Sequence, residues 1–180
     1  MKPLASDALA NRPDRAFYAF RAGGLLFGAD LLQVQEVAPC PPVTAVPQAP
    51  PAIRGLVNLR SHIYLALDMR ALVGQPWAPL DAESRLVVLK HAVAADLGLV
   101  VEHGGDIVHV RSSQIEAPPA GGDLDSSTGL FPHVCRLDGE LMTILDLSAV
   151  ASFVQTRFAA AARPAAAQRP PDHTVRETTP

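Results

Sequence analysis

The sequence predicts a mostly β chain of short strands arranged in two related halves and ending in one helix. Three observations carry this. Proline supplies 17 of 180 residues, roughly twice the usual share, which disfavours long helices and punctuates short elements. Apolar residues make up 48% of the chain but aromatics only 5%, so Leu, Val, Ile and Ala must fill the core. A short pattern also recurs. Gly55-Leu56 leads to Leu67-Asp68-Met69, and Gly129-Leu130 leads to Leu145-Asp146-Leu147. The offset is 74 residues for the Gly-Leu pairs (55 to 129) and 78 for the Leu-Asp pairs (67 to 145), as two related half-domains would give.

Residues 1–14 are polar and read as a flexible lead-in. Residues 159–180, rich in Ala and Pro and almost free of large apolar side chains, read as a disordered tail. One ordered unit is therefore expected over 15–158. It opens with a hairpin: apolar 16–20, a turn at Gly23-Gly24, then apolar 25–28. Residues 31–37 fit a strand or a short helix. The stretch 39–51 holds too many prolines for a central strand, though 43–46 can form a brief edge strand. Two strands follow at 53–59 and 63–67. Asp68 can cap a short helix, 69–73, which stops at Gly74. Residues 85–90 and 97–101 read as buried strands. Gly104-Gly105 reads as a turn before a strand at 107–110. Asp138-Gly139 joins strands 134–137 and 141–145 in a hairpin. Asp146 or Ser148 then caps a helix whose apolar positions, Leu147, Val150, Ala151, Val154 and Phe158, recur at helical spacing.

A net charge of −3 and a pI near 6.0 supply no basic field for nucleic acid or an anionic membrane. No apolar run approaches the length of a membrane span, and the N-terminus lacks the apolar core of a signal peptide. Two cysteines, Cys40 and Cys135, suit a reduced, cytosolic chain or at most one disulfide.

The chemical motifs are weak beside their structural readings. Gly23 and Gly28 have a phosphate-loop spacing, but Ala29-Asp30 follows where Lys and Ser or Thr are needed, so no cofactor is expected there. Glu102, His103, Asp106 and His109 form one acidic-histidine cluster without a second at ligand spacing, which disfavours a metal. His133 and Cys135 lack the third group that orients a thiol–imidazole pair, and a small buried Cys is the better reading. Ser61, His62 and Asp68 have the residue types of a hydrolase triad in an order matching no nucleophile elbow. Glu36 and Arg60 are different: each is a charge bordered by apolar residues. They read equally as structure, either an ion pair or two exposed strand-end charges, and as partner contacts, since Arg on an apolar surface often anchors an interface.

Taken in order, Phe17–Phe27, Leu31–Val37 (LLQVQEV) and 45–70 (AVPQAPPAIRGLVNLRSHIYLALDMR) resemble the CheW-like adaptor domain. The match runs through Glu36-Val37, Val46-Pro47, Pro50, Gly55-Leu56-Val57-Asn58-Leu59-Arg60 and Leu67-Asp68-Met69-Arg70. It continues through Leu97–Val101, Ser113–Ile115 and Leu145-Asp146, covering about residues 15–155. Three places depart from the family pattern. Ser61 stands where Gly is usual, Glu102 where Asp is usual, and His103-Gly104-Gly105 is less apolar than typical.

The resemblance implies a mostly β fold of two small, pseudo-symmetric five-stranded barrels with an apolar cleft between them. It implies a non-enzymatic adaptor, without cofactor, coupling the cytoplasmic tip of a chemoreceptor to the regulatory domain of a CheA-type histidine kinase. Matched to the motif, Val34, Glu36, Val37, Gly55, Asn58 and Arg60 are the contact candidates, and Ile107, near the second barrel's turn, is a further one. Val34 and Gly55 would lie toward the receptor. Two other classes compete: a small-ligand-binding barrel, and a hydrolase using Ser61, His62 and Asp68. A barrel this small fills its interior with side chains, which counts against the first.

Overall fold

The computed structural model describes residues 14–119, 124 and 128–161, with side chains described as far as residue 156. The lead-in expected over 1–14 lies outside them apart from Asp14, as does the tail beyond 161. Twelve strands form two sheets among these residues. In chain order they are β1 (Arg15–Ala22), β2 (Leu25–Asp30), β3 (Val34–Pro39), β4 (Val43–Thr44), β5 (Ile53–Leu59), β6 (His62–Asp68), β7 (Arg85–Leu89), β8 (Leu97–Val101), β9 (His103–Val110), β10 (Ile115–Glu116), β11 (His133–Leu137) and β12 (Glu140–Leu145). Two α-helices follow strands: α1 (Met69–Leu72) after β6 and α2 (Leu147–Ala161) after β12.

Sheet A runs β10-β11-β12-β2-β1-β9, and sheet B runs β4-β5-β6-β8-β7-β3. The resemblance implies five strands per half. Five strands of five residues or more are present in each, and the sixth is a two-residue piece at one edge. The Pro-rich connector supplies that piece in sheet B, at the edge position where missing N–H donors do least harm.

Written this way, the two sheets correspond strand for strand in order and pairing. In each, a hairpin (β5–β6 or β11–β12) lies parallel to the next strand, and an Asp closes the hairpin and caps a helix. Asp68 accepts from Ala71 N at 3.1 Å; Asp146 accepts from Ser148 N at 2.9 Å and Ala149 N at 3.0 Å. Asp68 N donates to Ala52 O as Asp146 N donates to Leu130 O, both at 2.9 Å. The 78-residue offset is therefore structural, and the 74-residue one is not. Leu130 matches Ala52, whereas Gly55 lies inside β5 and Gly129 in the bend before β11. Sheet B draws its two strands after the helix from the same stretch of chain (β7–β8). Sheet A draws them from the N-terminal hairpin β1–β2, so the second repeat is circularly permuted.

Three apolar layers result. Phe17, Ala19, Val110, Cys135, Met142 and Ile144 fill the interior of sheet A. Val57, Tyr64, Ala66, Leu86, Val88 and Val100 fill that of sheet B. Between the sheets lies the largest layer, with Tyr18, Phe20, Val87, Leu89, Leu99 and the α2 face Leu147, Val150, Val154 among its members. This layer is filled with the protein's own side chains. Strands β1, β7 and β8 are buried on both faces, which is why they read as continuous apolar runs rather than alternating ones.

One element differs from expectation. Gly104-Gly105 does not turn; β9 runs straight through it and pairs with β1, Gly104 opposite Phe20. A Cβ on Gly104 would fall 2.4 Å from the Tyr18 hydroxyl, and one on Gly105 2.9 Å from Ala19 O. These glycines serve close approach at a bulge, not chain reversal. The crossing from sheet B to sheet A is made at Glu102 alone.

Candidate docking site

The β5–β6 hairpin carries most of the candidate residues. Leu59 pairs with His62, leaving Arg60-Ser61 as a two-residue turn. Both residues are left-handed, φ +53° and +67°, the twist that a tight hairpin requires. Ser61 thus adopts the conformation that the expected Gly would hold without strain.

Strand β3 brings Glu36 to this turn. Glu36 Oε2 lies 2.8 Å from the Arg60 guanidinium, with side-chain exposures of 24% and 77%. The two charges form an ion pair, and Arg60 keeps a solvent-facing side. Around them opens a depression of about 300 Å³ whose walls include His62, Tyr64, His91 and Asp96. His62 Nε2 and Asp96 Oδ1 stand 2.6 Å apart. Asp96 and His91 escaped the sequence reading. Asp96 meets His62 across 34 residues of chain, and only its left-handed φ of +55° marks it locally.

The other candidates divide. Val34 is buried and Val37 partly so, both on β3 against the central layer. Gly55 is buried at φ +148°. A Cβ there would fall 2.3 Å from Thr44 O, so this glycine lets the β4 edge approach β5. Asn58 is exposed on the outer face of the hairpin, opposite Ile63, which is 52% exposed; Leu56 on the same face is 38% exposed. Ile107, 53% exposed, lies apart on β9 at the edge of sheet A. It sits opposite Tyr18 as Val37 sits opposite Val87, the same place in the other half.

The comparisons with known proteins decide the family. Residues 16–155 match the CheW-like domain. The chain belongs to the CheW-like family. It is 28% identical over 151 residues to a probable chemotaxis protein CheW of Rhizobium etli, covering 83% of this chain and 95% of that one. It is 25% identical over 131 residues to the chemotaxis protein CheW of Bacillus subtilis, covering 73% and 83%. It resembles the crystal structure of the scaffolding protein TtCheW from Thermoanaerobacter tengcongensis, with a TM-score of 0.66, 23% identity and coverage of 76% and 88%.

A CheW-like protein is a non-enzymatic adaptor, and the residues of the competing readings fall accordingly. Asp68 is at the opposite end of β6 from His62, about 20 Å away at the ordinary rise of a strand. Its carboxylate is committed to Arg54 Nη1 at 2.5 Å and to capping α1, while His62 faces Asp96. Cys135 is buried and exposed solvent reaches His133 instead; burial raises the thiol pKa, as it does for Cys40. Neither is primed as a nucleophile. Both cysteines are free. Among the described residues no three His, Cys, Asp or Glu converge as metal ligands, and Glu102 is taken by Arg70 and Gly23 N. Side chains fill both sheet interiors, where a ligand-binding barrel needs space. No helix among the described residues is long and apolar enough to cross a membrane.

Proposed function

We propose that this protein is a cytoplasmic adaptor that couples the cytoplasmic tip of a chemoreceptor to the regulatory domain of a CheA-type histidine kinase. One observation carries the reading. The Gly55–Arg60 motif forms a hairpin with one face exposed, and its Arg60 pairs with Glu36 of β3, within a fold of the CheW-like family. An adaptor needs two recognition surfaces on a rigid frame, and doubly buried strands supply the frame. Exposed Asn58, Arg60, Leu56 and Ile63 supply one such surface, apolar at its centre with a cation at its rim. Val34, Val37 and Gly55 act by shaping the strands beneath it. Ile107 belongs to the second surface, on sheet A.

The test is co-purification of the full chain with the host's kinase and with a receptor cytoplasmic fragment, followed by kinase activity with both present. The adaptor reading requires binding to each partner and receptor-dependent stimulation of the kinase. Absence of either binding removes it.

A further inference from the structure

We propose that Glu102 is a latch that narrows the angle between the two sheets and, on the adaptor reading above, the spacing of the two docking surfaces. Glu102 is the single residue between β8 of sheet B and β9 of sheet A. Its backbone N donates to Arg21 O at 3.1 Å. One carboxylate oxygen accepts from Gly23 N, in the β1–β2 turn of sheet A, at 2.8 Å. The other pairs with Arg70 of α1, in the sheet B half. Arg70 is held in turn by Pro76 O, 2.7 Å from its Nε. Gln75 adds a parallel tie, donating from Nε2 to Gly23 O at 3.1 Å. A Cβ on Gly23 would fall 2.5 Å from Gln75 Oε1 and push that side chain out of its tie.

The pseudo-symmetry supplies a control within the molecule. By the 78-residue offset, Arg70 corresponds to Ser148 in the first turn of α2. The matching crossover is the turn between β2 and β3. There the only described side-chain tie between crossover and helix is Gln33 Nε2 to Ser148 Oγ at a long 3.4 Å. One side of the molecule is thus clasped by charge-assisted, partly buried bonds, each partner 21% exposed, and the other by a weak neutral one. The apolar layer between the sheets holds them together through interdigitated packing. The directional bonds of Glu102 add a tie at one edge that narrows the range of angles this packing allows.

The experiment uses the full chain with spin labels at Ile63→Cys on sheet B and Arg136→Cys on sheet A, in a Cys40→Ser background, and reads the inter-label distance distribution. The parent should give one narrow peak. Glu102→Ala should broaden or displace it. Glu102→Gln, which keeps an acceptor for Gly23 N but loses the Arg70 charge pair, should fall between. In unlabelled protein, each binary affinity should change by no more than about twofold. Receptor-stimulated kinase activity should fall by about tenfold, because simultaneous engagement depends on geometry.

A distance distribution in Glu102→Gln identical to the parent overturns the latch, and so do binary affinities that fall as far as the ternary activity. If Glu102→Ala does not fold, the Gln variant decides. If the parent binds neither partner, the adaptor reading fails, while the distance measurement still judges the latch.

Discussion

Glu36 and Arg60 meet at 2.8 Å although β3 and β5 stand first and fifth from the same edge of a six-stranded sheet. The sheet must curl for the two to touch, so the pair marks where its edge strand bends back over the hairpin turn. A pair as exposed as this contributes only about 0–1 kcal/mol to folding. Arg60→Ala should therefore leave the melting temperature nearly unchanged. If the guanidinium is a rim contact, the same variant should lose binding to the kinase or the receptor in a pull-down. Normal binding to both partners rejects the contact role, and so does unfolding.

The other half lacks this pair. Asp106 precedes Ile107 as Glu36 precedes Val37, and Asp138 occupies the turn position of Arg60. Carboxylates stand where sheet B has an acid and a base, so the two hairpin ends differ in charge although their strands correspond.

Ser61 supplies a second prediction. Its φ of +67° costs an L-residue about 1–2 kcal/mol relative to Gly, and Gly gives back part of that through a freer unfolded chain. Ser61→Gly should raise stability by about 0.5–1 kcal/mol, measured by urea denaturation. A loss of stability would show that the serine side chain has a compensating role in the turn.

Much of the fold was legible because its signals are local. Asp68 and Asp146 before their helices, the prolines at the β4 edge and Asp138-Gly139 all act within a few residues of themselves. The doubly buried strands announced themselves through unbroken apolar runs. What stayed hidden is long-range. Gly104-Gly105 looks like a turn until Tyr18 and Ala19 are seen packed against it. The permuted second repeat is invisible in linear order because β1–β2 supply its missing strands from the other end of the chain. In the candidate site, the motif residues could be named from sequence. Their division of labour could not, since Gly55 works through Thr44 and Glu36 through Arg60.

That division yields a third prediction. Gly55→Ala combines φ +148° with a Cβ 2.3 Å from Thr44 O and 2.9 Å from Thr44 C, both backbone atoms that cannot swing aside. Strand β4 has to move, so the variant should lose more than about 2 kcal/mol. Any loss of partner binding should track that loss of stability. A Gly55→Ala protein of parental stability that nonetheless fails to bind would make Gly55 a direct contact instead.

The fourth prediction concerns alkaline pH. Burial is the largest cause raising the thiols of Cys40 and Cys135 and the phenol of Tyr18 above their ordinary values, 9.0 for the thiols and 10.0 for the phenol. Folding therefore favours the protonated, neutral form of all three. Below about pH 8.5 both folded and unfolded chains hold these protons, and the groups leave stability independent of pH. Above it the unfolded chain releases protons first, and stability is lost as pH rises toward the folded values. The urea midpoint should hold level from neutrality to about pH 8.5 and then decline. Cys40→Ser should remove part of the decline near pH 9, where the thiols act, and leave the part above pH 10 that belongs to Tyr18. A midpoint that stays level or rises between about pH 9 and 11 would mean that these side chains are hydrated in solution, and that the interior of neither sheet is as dry as its packing requires.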